Sequence, residues 1–220
     1  MFDIEINTEL MEKLPQLRLI ALQASVRVFK QDEALDSKIE SDFDTLRNKI
    51  VYSGLSQQVG IQKGRAAYRA LGKDPTRYRL SSEKLLRRIL KGEIIGGINT
   101  LVDISNALSA LTQCPIGTFD AHKISRINPL IVDIGREGER YLTLSQLDLN
   151  LEGLVVVRDA QGAFGSTTSD SSRTSVDLET TDMFMLIYVF DDNLILEEIH
   201  GTAISYLSHY LKGDPLTSFY

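Results

Sequence analysis

The 220-residue chain has no tryptophan, one cysteine, three histidines and five prolines. The lone thiol, Cys114, excludes an internal disulfide and a thiolate cage for zinc. His122, His200 and His209 show no metal-ligand spacing with acidic residues, so no metal site is expected. No apolar run approaches the ~20 residues of a membrane-spanning helix. Met1 to Asn7 carries Asp3 and Glu5 and no basic stretch, unlike a secretory signal. Gly92, Gly96 and Gly97 fit neither nucleotide-binding glycine fingerprint. Gly165-Ser166 lacks the frame of a nucleophile elbow. No cofactor and no membrane partner are implied, and a reducing cytoplasm is the expected setting.

What is present suits a globular protein. Apolar residues make up 43% and charged residues 25%, enough for one substantial core. The net charge of −6 argues against non-specific binding of polyanions. That average hides a cationic segment. Between Ile61 and Ile95 there are 10 basic and 3 acidic residues, a net +7, against −13 for the rest of the chain. Such a split predicts one cationic surface on an acidic body.

Periodicity places the elements. Residues 2–6 alternate as a half-buried strand, and Leu17 to Phe29 reads as a longer one. Gln31 to Tyr52 is an amphipathic helix with Leu35, Ile39, Phe43, Leu46 and Ile50 on one face. Gly64 to Leu71 forms a short helix stopped by Gly72 and Pro75. Ser81 is the expected cap of a helix running to Leu90. Ile98 to Thr112 is a further helix, ended by Cys114-Pro115. Strands are expected at 130–134, 141–144, 154–157 and 183–190. A Ser/Thr-rich loop from Gly165 to Ser175, expected to be mobile, separates the last two. Asp191, Asp192 and Asn193 are the expected cap of a last helix bearing Leu196, Ile199, Ala203, Leu207 and Tyr210. No repeat and no linker interrupts the chain, so residues 1–220 are read as a single α+β domain. No feature specifies an oligomeric state.

Two blocks resemble a known family. The first is Gly72-Lys73-Asp74-Pro75-Thr76-Arg77-Tyr78-Arg79, followed by Ser81-Ser82-Glu83 and Leu85-Leu86-Arg87-Arg88. The second is Asn99-Thr100-Leu101-Val102-Asp103-Ile104-Ser105-Asn106, then Pro115-Ile116-Gly117-Thr118-Phe119-Asp120. They are similar to free-standing B3/B4 domains, a module otherwise built into the beta chain of bacterial phenylalanyl-tRNA synthetase. The likeness spans roughly residues 60 to 190, with weaker matches at Gly138-Glu139, Val155 to Asp159 and Glu179 to Asp182. Residues 1–50 carry no family motif.

The resemblance implies an α+β fold with an unusual β-sandwich flanked by helices. It implies recognition of tRNA or aminoacyl-tRNA, extending to hydrolysis of mischarged tRNA in trans. The alternative is an amino-acid or small-carboxylate binding module with neither tRNA nor catalysis. A third reading is a partner-binding protein with no enclosed polar pocket. Two departures bear on catalysis. The synthetase motif has a histidine where this chain has Gly117, and a pocket glutamate where it has Ser172. The free-standing type instead has Arg-Thr, matched by Arg173-Thr174.

Site candidates follow from residue chemistry set beside that likeness. Asp103 and Asp120 are candidate catalytic carboxylates, or ordinary capping residues. Asn99, Asp103 and Asn106 share a helix face that lines a pocket, faces solvent or holds adjacent turns. Arg77 and Arg79, with Ser81, Ser82 and Glu83, precede or open a helix and suit an anion site, or an internal ion-pair network. Lys84, Arg87, Arg88 and Lys91 form a basic stripe for RNA contact, or a solvated face. Tyr68 and Tyr78 either stack on unpaired bases or pack. Arg173 and Thr174 are expected to close over a ligand from the loop, or to be part of a flexible connection.

Overall fold

The computed structural model describes residues 1–191, 196–211 and 216–220. In chain order the elements are β1 (Ile4–Ile6), α1 (Thr8–Lys13), β2 (Arg18–Ser25), α2 (Glu33–Lys49), α3 (Val59–Ala70), α4 (Ser81–Leu90) and α5 (Thr100–Thr112). They continue with β3 (Ile116–Asp120), β4 (Leu130–Ile134), β5 (Arg140–Leu142), β6 (Asp148–Asn150), β7 (Val155–Asp159), β8 (Gly162–Ser166), β9 (Asp182–Val189), α6 (Leu196–Tyr210) and β10 (Leu216–Phe219).

Two four-stranded sheets form. One runs β1-β4-β7-β8, with β1 parallel to β4 and the other pairs antiparallel. The other runs β10-β2-β9-β3 and is antiparallel throughout. A short β5–β6 hairpin stands apart.

Strand β9 explains the layering. Its residues are almost all apolar, and both of its faces are covered. Met183, Met185, Ile187 and Val189 pack toward the helices, with Phe43 of α2, Leu86 of α4, Leu108 of α5 and Leu207 of α6. Phe184, Leu186 and Tyr188 pack toward the other sheet, with Val132 of β4 and Val156 of β7. Side chains alternate across a strand, so a strand apolar at nearly every position has to lie between two layers. The fold is therefore sheet on sheet with helices over one outer face, an α+β arrangement as expected.

Local signals set most boundaries. Asp32 accepts the Leu35 amide at 2.9 Å and starts α2. Asn99 accepts the Val102 amide at 2.9 Å and starts α5, the usual side-chain cap of a helix N-terminus. Gly72 follows α3 with φ +77°, where a residue without Cβ is favoured. The structure differs from expectation at Ser81. Leu80 is the residue before the helix, no side chain caps it, and Ser81 is the first helical residue. The Ser81 amide is instead taken by the Thr167 carbonyl at 2.9 Å. The cap expected at Asp191 to Asn193 falls partly on Asp192 and Asn193, which lie outside the described residues.

Candidate functional site

A cavity of about 530 Å³ lies between the helical layer and the end of β3. Helix α5 contributes Val102, Ser105, Asn106 and Ser109, one stripe at helical spacing. Strand β3 contributes Ile116, Thr118 and Phe119. Helix α4 contributes Ser81, Lys84, Leu85 and Arg88. The fourth wall is the chain after β8, through Thr168, Ser169, Asp170, Ser171 and Thr174.

That fourth wall is the segment expected to be mobile, and the structure corrects the expectation. Thr167 and Thr174 are fully buried, and Thr168 and Ser171 nearly so. The Tyr68 hydroxyl meets Thr167 Oγ1 at 2.9 Å and Thr168 Oγ1 at 2.7 Å. Tyr141 donates to the Ser169 carbonyl at 2.5 Å, and the Leu144 amide to the Asp170 carbonyl at 3.2 Å. Tyr68 is thus a buried strut, unable to stack on a base. Composition alone reads as a loose loop, but these hydroxyls are bonded to a buried scaffold.

Among the described residues, Asp170 is the one acidic side chain lining this cavity. Its Oδ1 is buried without a hydrogen-bond partner. Burial pushes its carboxyl up to about 8, although the amides of Ser166 and Thr118 favour the charged form. Two further polar atoms around the cavity lack partners, Ser81 Oγ and Thr174 Oγ1. Buried polar atoms left unpaired cost stability, so their gathering at one cavity marks it as a place for a polar ligand.

Arg173 does not close over the cavity. It grips Asp159 with two hydrogen bonds, 3.0 and 2.9 Å, and holds that carboxylate below its usual range against the effect of burial. Thr174 does line the cavity.

The cationic segment divides in the structure. Glu83 is fully buried, and its oxygens take Arg65 at 2.6 and 2.9 Å and Arg87 at 2.9 Å. Arg79 stands 3.9 Å away. Glu83 and Arg79 therefore belong to an internal ion-pair cluster. Arg77 is exposed, with its guanidinium 5.8 Å from the Tyr78 ring. Ser82 is buried with an unpartnered Oγ. Along the basic stripe, Arg87 and Lys91 turn to Tyr52. Lys84 and Arg88 line the cavity, with Lys84 Nζ on the Thr168 carbonyl at 3.1 Å and Arg88 on Glu93 at 2.9 Å.

Neither carboxylate nominated for catalysis lines this cavity. Asp103 is buried and accepts the Gly97 amide at 2.9 Å and the Ile98 amide at 3.3 Å. Asp120 accepts the His122 amide at 2.9 Å and the Thr180 hydroxyl at 3.1 Å. Both fix loops beside the elements they end or begin. Of the asparagines, Asn99 is the α5 cap and Asn106 lines the cavity. Ser172, half-buried, donates weakly to the Leu142 carbonyl at 3.4 Å. Among the described residues no group of three or more His, Cys, Asp or Glu is placed to hold a metal ion.

Gly117 has a physical reason to be glycine. A Cβ there would stand 2.4 Å from Phe119 Cζ. The ring cannot yield cheaply, because Gly165 abuts the same ring tip and Phe164 packs edge-on at 4.9 Å. Gly117→Ala is expected to destabilise the fold by about 1–3 kcal/mol through overpacking, read as a lower urea midpoint at unchanged slope. An unchanged midpoint would show that the ring moves freely.

Sequence reasoning missed Asp170, Ser105, Ser109 and Thr118 as cavity residues. A signal existed in the small hydroxyls at 105 and 109, four apart on one face of α5 and flanking Asn106. Asp170 stood out as the single acid in a run of Ser and Thr.

The family model for the B3/4 domain matches residues 63–210. The chain is 26% identical over 137 residues to the phenylalanine–tRNA ligase beta subunit of Lactobacillus acidophilus, a match covering 58% of this chain and 16% of that one. Its fold is similar to the crystal structure of an N-terminal fragment of the phenylalanyl-tRNA synthetase beta subunit from Pyrococcus horikoshii. That match has a TM-score of 0.50 and 13% identity, and covers 99% of this chain and 53% of the fragment. The chain thus spans about half of the fragment and under a fifth of the ligase subunit. The matched region takes in both sequence blocks and every wall of the cavity, and the chain is a member of the B3/4 domain family.

Proposed function

We propose that the cavity binds the aminoacyl end of a charged tRNA. The observation that carries this reading is the gathering of unpartnered polar atoms, one carboxyl and two cations around a single space of about 530 Å³. Its size suits an amino acid with part of a nucleotide. The relatives are subunits of a ligase that is named for tRNA, which supports tRNA as the partner. Lys84 and Arg88 would meet phosphate, and Asn106, Ser105 and Thr118 would surround the aminoacyl group. Any hydrolysis of a mischarged tRNA would have to draw on Asp170 or on the substrate's own hydroxyl. Asp103 and Asp120 spend their oxygens on backbone amides and a threonine hydroxyl.

The test is tRNA binding as a function of salt. Phosphate contacts make affinity fall steeply as salt rises. Wild-type protein is expected to show that slope, and Lys84→Gln/Arg88→Gln to flatten it by about one to two contacts. A parallel deacylation screen with several mischarged tRNAs reads catalysis directly. A flat salt response would defeat the tRNA reading.

A second reading, an amino-acid or small-carboxylate binding module, has its own support. Glu83 neutralises arginines that would otherwise face a polyanion, and the net charge is −6. Binding of free amino acids without tRNA binding would establish it.

A further inference from the structure

The cavity sets an acidic group and cationic groups on different walls. On one, Asp170 is the acidic lining residue, and its Oδ1 has no partner. On the other, α4 begins without a side-chain cap. The first amides of a helix carry partial positive charge and favour anions. Ser81 Oγ is unpartnered at that same helix start, and Lys84 and Arg88 follow on the same helix. Thr174 is an independent sign of a ligand, because it is fully buried, lines the cavity and leaves Oγ1 unsatisfied. Among the described residues no ion pair within 4 Å joins Asp170 to Lys84 or Arg88, so the acid and the cations are not paired with each other.

We propose that Asp170 holds the ammonium group of the ligand, while the α4 N-terminus with Lys84 and Arg88 holds an anionic group. The ligand is then an α-amino acid derivative bearing both charges. The anion is either the terminal nucleotide phosphate of a charged tRNA or the carboxylate of a free amino acid. This deepens the aminoacyl reading and rests on it for the phosphate source. The carboxyl explains itself under this arrangement. It is costly to bury alone, and a bound ammonium restores its partner. A hydrogen-bonded charge pair of that kind discriminates by about 10- to 100-fold.

Calorimetric titration with three probes tests it, each made with alanine, serine and phenylalanine side chains. The first is the amide-linked 3′-aminoacylamino-3′-deoxyadenosine 5′-monophosphate. The second is its deamino analogue, and the third is the free amino acid. The expected result is a preference of about 10- to 100-fold for the amino over the deamino nucleotide, falling close to one in Asp170→Asn. Lys84→Gln/Arg88→Gln is expected to weaken both nucleotides and keep their ratio. Asp170→Asn is nearly isosteric, and a thermal melt verifies its fold. Nucleotide binding with a ratio that ignores Asp170→Asn would overturn the ammonium site and leave the aminoacyl-tRNA reading intact. Binding of free amino acids alone, lost in Asp170→Asn, would uphold the ammonium site and overturn the tRNA reading. Absence of binding by every probe would overturn both.

Discussion

Replacing Glu83 with alanine is expected to destabilise the protein by about 3 kcal/mol. The carboxylate is fully buried, and Arg65, Arg87 and Arg79 converge on it. Removing one member of a buried cluster leaves the others uncompensated, at roughly 3–5 kcal/mol. Arg87 and Arg79 keep part of their surface in water, with side chains 29% and 42% exposed, which places the effect at the low end. Domains of this size have a total of about 5–15 kcal/mol, so a large fraction would be lost. Urea unfolding measures it, and a loss under about 1 kcal/mol would show that the cluster is solvated. The pH signature follows from where the group titrates. Burial raises the Glu83 carboxyl, but hydrogen bonds from Arg65 and Arg87 outweigh it, and the group lies below its usual value. Its contribution is present above the ordinary carboxylate range and lost as acid protonates it. The variant is therefore expected to differ from wild type at neutral pH and to converge with it in strong acid. Glu83 also ties α3 to α4, so its loss would loosen the helix that carries Lys84 and Arg88.

Asp170→Asn is expected to do the reverse and stabilise the empty protein. The folded carboxyl is raised from 3.8 to about 8 by burial. A raised carboxyl favours folding fully only below its unfolded value, and that advantage drains away as pH climbs to the folded value. Between about pH 4 and pH 8 the wild type should therefore lose stability relative to the asparagine variant, with no further divergence above. A tenfold change in proton affinity on folding is worth about 1.4 kcal/mol. The residue is half-buried against a cavity, so a difference of about 2–4 kcal/mol by pH 8 is expected instead of the full ~6. The groups facing it do not imitate this profile. Tyr68, Tyr141 and Tyr188 are all raised by burial and stay neutral there. Lys84, Arg88 and the three histidines are common to both proteins and cancel in the difference. Thermal melts of the pair from about pH 4 to about pH 9 measure it. Parallel curves would show that water reaches the carboxyl freely. An ammonium ligand, added at saturation, should shrink the gap by restoring the partner that the buried oxygen lacks.

The two variants show how unevenly the site could be read from sequence. Glu83 was visible as an acid in a basic segment, and an ion-pair network was one of its two expected roles. Its burial depends on Arg65, 18 positions away on another helix, reaching back to it. Asp103 and Asn99 were visible as a polar face, yet folding turned them to backbone amides and left Asn106 for the cavity. Asp170 sat in a stretch whose composition reads as a tether. Only the struts from Tyr68 and Tyr141, distant in sequence, turn that stretch into a wall. Strands β3 and β8 escaped notice because Gly117, Gly162 and Gly165 erase the strand pattern, and those glycines exist to admit the Phe119 ring and a tight turn.

The sequence by itself determined the five longer helices, the long strands, the glycine stop after α3 and the family, because these depend on neighbours along the chain or on short motifs that are legible without coordinates. The placement of charge was decided only in three dimensions. Whether a carboxylate is paired, spent on amides or left facing a cavity is set by side chains from remote elements. The desolvation that makes each of these states costly arises only once the layers close over them.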